Sequence, residues 1–188
     1  LSSNGTTSIN VKFRLFDILS KKPFKEGLKF TGPTKGWRRI AHKIADEVYS
    51  RVTGEGKYFD TRLAFVAEGG SKKNRTKRLG IMDYDGANQV FLTEKSDFIV
   101  LSPKFSPNGT KLLYTSFETG LPRISILDIR SRKEILLNEE PKTMSFSPSF
   151  SPNGQDIVFS LSLGSNTDIY KLNIASGSRS RLTSSVAT

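Results

Sequence analysis

Apolar and polar side chains alternate from Ile9 to Leu15, with Ile9, Val11, Phe13 and Leu15 on one face and Asn10, Lys12 and Arg14 on the other. A period of two predicts a half-buried strand. Ser20-Lys21-Lys22-Pro23 supplies a turn, Phe24 to Thr31 reads as a returning strand, and Gly32-Pro33 ends it. The period then changes. Trp37, Ile40, Ala41, Ile44, Ala45, Val48 and Val52 recur at steps of three and four, the apolar stripe of an amphipathic helix. Thr34 is the expected N-cap and Gly54 the expected stop.

After Gly56 no helical stripe returns, and an internal repeat takes over. Ser102-Pro103-Lys104-Phe105-Ser106-Pro107-Asn108-Gly109 recurs 45 residues later as Ser147-Pro148-Ser149-Phe150-Ser151-Pro152-Asn153-Gly154. The same step carries Leu127 to Leu172, Ile129 to Ile174 and Leu137 to Leu182, and runs backwards onto Met82, Tyr84 and Leu92. Short β runs at this period are the signature of propeller blades. The middle unit is predicted to hold strands near 99–105, 111–116, 123–129 and 133–137. The third repeats them at 144–150, 156–161, 168–174 and 179–183. The first shows only three, at 62–67, 77–84 and 89–93, with no Phe-Ser-Pro strand before them. Each Asn-Gly pair fits a tight turn that needs positive φ. About three blades leave edges and apolar faces uncovered, whereas closed propellers use roughly 4–8 blades. The expectation is therefore a chain that continues beyond Thr188, association of copies being the other way to cover them.

Composition removes much chemistry. Among 188 residues there is no cysteine and one histidine, His42, which argues against disulfide frameworks, thiol catalysis and the usual zinc sites. No run of about 20 apolar residues occurs, so no helical membrane span is expected. The formal charge is +11 but it is dispersed along the chain, which reads as a solvated basic surface more than as a nucleic-acid footprint.

The helix Trp37-Arg38-Arg39-Ile40-Ala41-His42-Lys43-Ile44-Ala45-Asp46-Glu47-Val48-Tyr49, followed by Val52-Thr53-Gly54, Phe59 and Thr61-Arg62-Leu63-Ala64-Phe65-Val66, resembles the TolB family of the Tol-Pal system. So do Asp83-Tyr84-Asp85-Gly86-Ala87-Asn88-Gln89 and the Phe-Ser-Pro-Asn-Gly repeats. The likeness runs from about Val11 to Leu182. It implies an α+β N-terminal piece followed by an all-β region: a partial, open β-propeller of the six-bladed type with four-stranded blades of about 45 residues. Residues 1–57 would be the C-terminal part of an α/β domain, and residues 58–188 three blades at 58–98, 99–143 and 144–188. It also implies a non-enzymatic periplasmic adaptor that binds the peptidoglycan-associated lipoprotein Pal through its propeller and supports outer-membrane integrity and cell division. The segment that would engage the inner-membrane protein TolA, the first part of the α/β domain and the later blades are not in the sequence. A propeller from a prolyl-oligopeptidase-type serine peptidase is the alternative, against which the strand–strand–helix unit speaks.

No catalytic residue, cofactor site or metal site is assigned. His42 with Asp46 one turn later suggests a base and its orienter, but no Gly-x-Ser-x-Gly elbow supplies a nucleophile, and a surface i,i+4 pair is the better reading. Asp83, Asp85 and Glu94 match three positions of a calcium loop, yet Ala87 and Asn88 break the template and Asp85-Gly86 falls where a hairpin turn is needed. Lys72, Lys73, Arg75, Lys77 and Arg78 form the densest basic run, read as an exposed loop without interleaved aromatics. Loops 94–100, 117–122, 138–147 and 162–167 would gather at one end of the blades. By the family resemblance, Met144, Ser145, Phe146 and Ser147, then Asp97 and Phe98, are the expected partner-binding residues.

Overall fold

The computed structural model describes residues 8–94, 98–137 and 141–184. The chain forms two compact units: Leu1–Arg62 with Asp83–Asp85, and Leu63–Met82 with Gly86–Thr188.

In the first unit, β1 (Ser8–Phe13) pairs antiparallel with β2 (Leu28–Pro33), Val11 opposite Phe30. A 3₁₀ turn at Thr34–Gly36 leads into α1 (Trp37–Thr53). The helix packs on β2, and a Cβ on Gly32 would lie 3.4 Å from Ile40 Cδ1. Gly54 ends it in the left-handed region (φ 76°), its N–H donating to Ser50 O at 3.0 Å. Three local expectations change. The second strand begins at Leu28, not Phe24, because residues 15–24 close on themselves: Asp17 N–H donates to Lys22 O and Phe24 N–H to Leu15 O, both at 2.9 Å. The cap position is Gly36, not Thr34, and no side chain caps it, because Pro33 leads the chain into the 3₁₀ turn first. The buried stripe is also rotated. Ile40, His42 and Asp46 are buried, while Trp37, Ala41 and Val52 face solvent. The polar pair turns inward because each member finds a partner there.

The second unit is a series of sheets in chain order. β3 (Arg62–Ser71), β4 (Asn74–Asp83) and β5 (Val90–Phe91) form three strands. β6 (Val100–Phe105), β7 (Lys111–Ser116), β8 (Arg123–Asp128) and β9 (Glu134–Leu136) form four. β10 (Thr143–Phe150), β11 (Asp156–Leu163), β12 (Asn166–Asn173) and β13 (Arg179–Arg181) form four more. Among the described residues the first sheet thus has no counterpart of the strand that opens the other two, as the repeat implies. Alternation along β7 and β8 builds both cores. Leu112, Tyr114 and Leu127 pack with Leu79, Ile81 and Leu92 of the preceding sheet. Leu113, Ile124 and Ile126 pack with Ile157, Phe159, Leu161 and Leu172 of the following one. A sheet buried on both faces needs apolar residues at successive positions, which Leu112-Leu113-Tyr114 supplies.

The repeated Ser-Pro-Asn-Gly motif closes the same turn twice. Ser106 Oγ donates to Asn108 Oδ1 at 2.8 Å and accepts from Lys111 N–H at 3.0 Å; Ser151 Oγ repeats this with Asn153 Oδ1 at 2.7 Å and Asp156 N–H at 3.0 Å. Gly109 and Gly154 supply φ of 67° and 70°. The basic run is not the expected loop. Only residues 72–73 turn, and Asn74 onward is strand β4, where Arg75 and Lys77 reach Glu68 on β3 at 3.0 and 2.7 Å. The Arg78 guanidinium lies over the Phe91 ring, 3.2 Å from its centre.

Candidate functional site

The opening strands β6 and β10 share one irregularity. Register shifts between Leu101 and Lys104 and between Phe146 and Ser149, with Ser102 and Ser147 at φ 52° and 54°. A bulge in the same place in both blades re-aims the residues beside it. Met144 and Phe146 alternate with Thr143 and Ser145 along β10, so the two pairs point to opposite sides. Met144 and Phe146 are half-buried and Ser147 is exposed. Ser145 is fully enclosed: its Oγ accepts from Ile124 N–H at 3.0 Å, and its own N–H donates to Pro122 O at 2.9 Å. Its side chain is held in the contact between sheets. Thr143 is likewise enclosed and accepts from Arg123 Nη1 at 2.7 Å.

Two further apolar residues belong with Met144 and Phe146. Ile99 and Leu101 are 44% and 43% exposed. The 45-residue step equates them with Met144 and Phe146, a correspondence legible in the sequence itself. Phe98 is half-buried against the core between the first two sheets. Asp97 lies outside the described residues.

Beside Phe98 a cavity of about 260 Å³ is lined by Glu94, Tyr114, Glu118 and Glu134 among others. Tyr114 donates to Glu134 Oε1 at 2.7 Å. Burial, reinforced by that bond and the carboxylate's charge, pushes the Tyr114 hydroxyl far up. A second hollow of about 210 Å³ shares Ser116 and Glu118 and adds Arg123 and Leu137. The first hollow, lined by three carboxylates, is thus locally acidic on a chain whose net charge is +11.

The other chemistry weighed in the sequence resolves differently. His42 and Asp46 do not form a surface pair. Asp46 Oδ1 accepts from Tyr58 and Phe59 N–H, both at 2.7 Å, and Oδ2 from Asp60 N–H at 3.1 Å, fixing the segment after α1. His42 Nε2 lies 3.2 Å from Asp85 Oδ2, with Arg38 Nε 3.6 Å from the same oxygen and the Tyr84 ring edge-on at 4.9 Å. Asp85 is engaged there, and Glu94 lines the cavity of the second unit. Among the described residues no three His, Asp or Glu side chains gather as a metal site, and no helix is long and apolar enough to cross a membrane.

Comparison with known proteins follows the same division. A family model described as the TolB beta propeller domain matches residues 49–188. The Tol-Pal system protein TolB of Dinoroseobacter shibae is 54% identical over 178 residues, covering 94% of this chain and 40% of that protein. The crystal structure of TolB from Acinetobacter baumannii superposes with a TM-score of 0.80 at 27% identity, over 93% of this chain and 43% of that one. A puromycin hydrolase structure shares the fold alone, with a TM-score of 0.54 at 12% identity over 66% of this chain. The chain spans between a quarter and two fifths of the length of the curated relatives it matches.

Proposed function

Because the chain belongs to the TolB family of Tol-Pal system proteins, we propose that it serves as a non-enzymatic periplasmic adaptor whose propeller end docks a Pal-type peptidoglycan-associated lipoprotein. In that role it supports outer-membrane integrity and cell division, and a TolA-type inner-membrane protein is a second partner of the full system. The observation that carries the reading is the 54% identity to a TolB that extends over 178 residues, through both units and not over the repeats alone. The docking surface in this reading is the row Ile99, Leu101, Met144 and Phe146 with Ser147 at the bulge and Phe98 beside it. Exposed or half-exposed apolar side chains on a rigid, bulged strand suit the anchoring centre of an interface, and the acidic hollow beside them favours a partner with basic residues at its rim.

The test is a titration of the lipoprotein's soluble domain into the protein at low and moderate salt. Binding that weakens about tenfold or more in Phe146→Ala is expected. Binding unaffected by Phe146→Ala and Leu101→Ala would move the docking surface elsewhere. Absence of binding, or cleavage of peptide substrates, would overturn the adaptor reading.

A further inference from the structure

The most exposed apolar side chains in the described residues belong to the first unit. Ile18 and Leu19 are 89% and 95% exposed at the apex of the segment joining β1 to β2, with Phe16 and Phe24 at 55% and 41% on its flanks. This apex is held outward by its own hydrogen bonds. Asp17 N–H donates to Lys22 O at 2.9 Å, Asp17 Oδ1 accepts from Leu19 N–H at 2.8 Å and Ser20 N–H at 3.3 Å, and Phe16 bridges Pro23. Cations surround it. Lys21 and Lys22 follow the apex, and Arg14 and Lys25 line a hollow of about 320 Å³ with Phe16, Pro23, Glu26 and Gly27. Lys12 stands opposite Lys29 in the β1–β2 register, both exposed, an arrangement of like charges that costs stability unless an anion faces it. Asp17 and Glu26 are the two acids in the segment.

We propose that this hairpin tip is a membrane-docking wedge: Ile18 and Leu19 enter the headgroup boundary of an anionic phospholipid bilayer, and Arg14, Lys21, Lys22 and Lys25 hold its phosphates. Two protruding aliphatic residues are a small patch for a protein partner, since stable protein interfaces bury about 800 Å² on each side. A bilayer needs only a protruding apolar tip with cations set behind it. Each basic residue near an anionic surface strengthens binding about fivefold. The inference rests on this segment alone and stands or falls separately from the adaptor reading.

The test is sedimentation of the protein with vesicles of phosphatidylethanolamine and phosphatidylglycerol, against vesicles of phosphatidylcholine alone. Binding to the anionic vesicles is expected, weakened about tenfold or more by Ile18→Ser with Leu19→Ser and about fivefold by Lys22→Gln. Thermal unfolding of these variants should match the parent, since both apex side chains are exposed. The chain has no cysteine, so Leu19→Cys carries a polarity-sensitive dye at one site. Its emission should shift to the blue on adding anionic vesicles, and the same dye at Val90→Cys on β5 should not respond. Absence of binding overturns the proposal. So does binding that salt abolishes but Ile18→Ser with Leu19→Ser leaves intact, which is adsorption by net charge. A dye at position 19 already shielded without vesicles, in a protein that sediments as a dimer, assigns the tip to a second copy and also overturns it.

Discussion

Asp46 shows how one side chain organises its surroundings. Its carboxylate accepts three backbone N–H groups of residues 58–60, groups that would otherwise go without partners in a partly buried turn. Asp46→Ala should lower stability by about 2–4 kcal/mol, and Asp46→Asn, which keeps one carbonyl acceptor, by less. Thermal unfolding of the three proteins checks this. Tyr114 makes a pH-dependent contribution. Its hydroxyl is raised by burial and by Glu134, so the folded state holds the proton more tightly than the unfolded one. That stability is complete below the ordinary tyrosine value near 10 and is lost as pH rises above it. Alkaline unfolding of Tyr114→Phe should therefore be flatter above pH about 10, at a cost near neutral pH of about 1 kcal/mol for the lost hydrogen bond. A parent and variant that lose stability in parallel would contradict this assignment.

The elements divide by how local their causes are. The turns of the repeat were legible because Ser106, Asn108 and Gly109 act on one another within a few residues, and Ser151, Asn153 and Gly154 repeat them. Asn153→Ala removes the acceptor for Ser151 Oγ and Gln155 N–H and should cost about 1 kcal/mol, with Asn108→Ala costing about the same. Unequal losses would mean the two turns are not equivalent. The rotation of α1 was not legible, because His42 and Asp46 turn inward for partners 43 and 12 to 14 residues away in sequence. The strand character of the basic run was not legible for a similar reason: Arg75 and Lys77 on β4 pair with Glu68 on the neighbouring strand, far enough along the chain that no local pattern marks it. The enclosure of Ser145 likewise follows from Ile124, across a sheet boundary no local pattern marks.

At the scale of the molecule, the 45-residue step and the helix motif together carried the family and the sheet order. The bulge did not announce itself, since Ser102 and Ser147 are ordinary residues in a left-handed conformation that only the ladder around them imposes. Yet that bulge orders the candidate docking row, and the repeat that revealed the blades also equates Leu101 with Phe146. The chain's basic excess is distributed, yet Arg14 and Lys25 line a hollow at the hairpin of the first unit, and Glu94, Glu118 and Glu134 line one in the second. Two surfaces of opposite character suit two different targets. The most direct measurement is calorimetric titration of a Pal-type lipoprotein domain into the protein and into Leu101→Ala with Phe146→Ala. The account predicts saturable binding at moderate salt that the double variant weakens by about a hundredfold, with unfolding temperature little changed. Equal binding by parent and variant, or none by the parent, would contradict it.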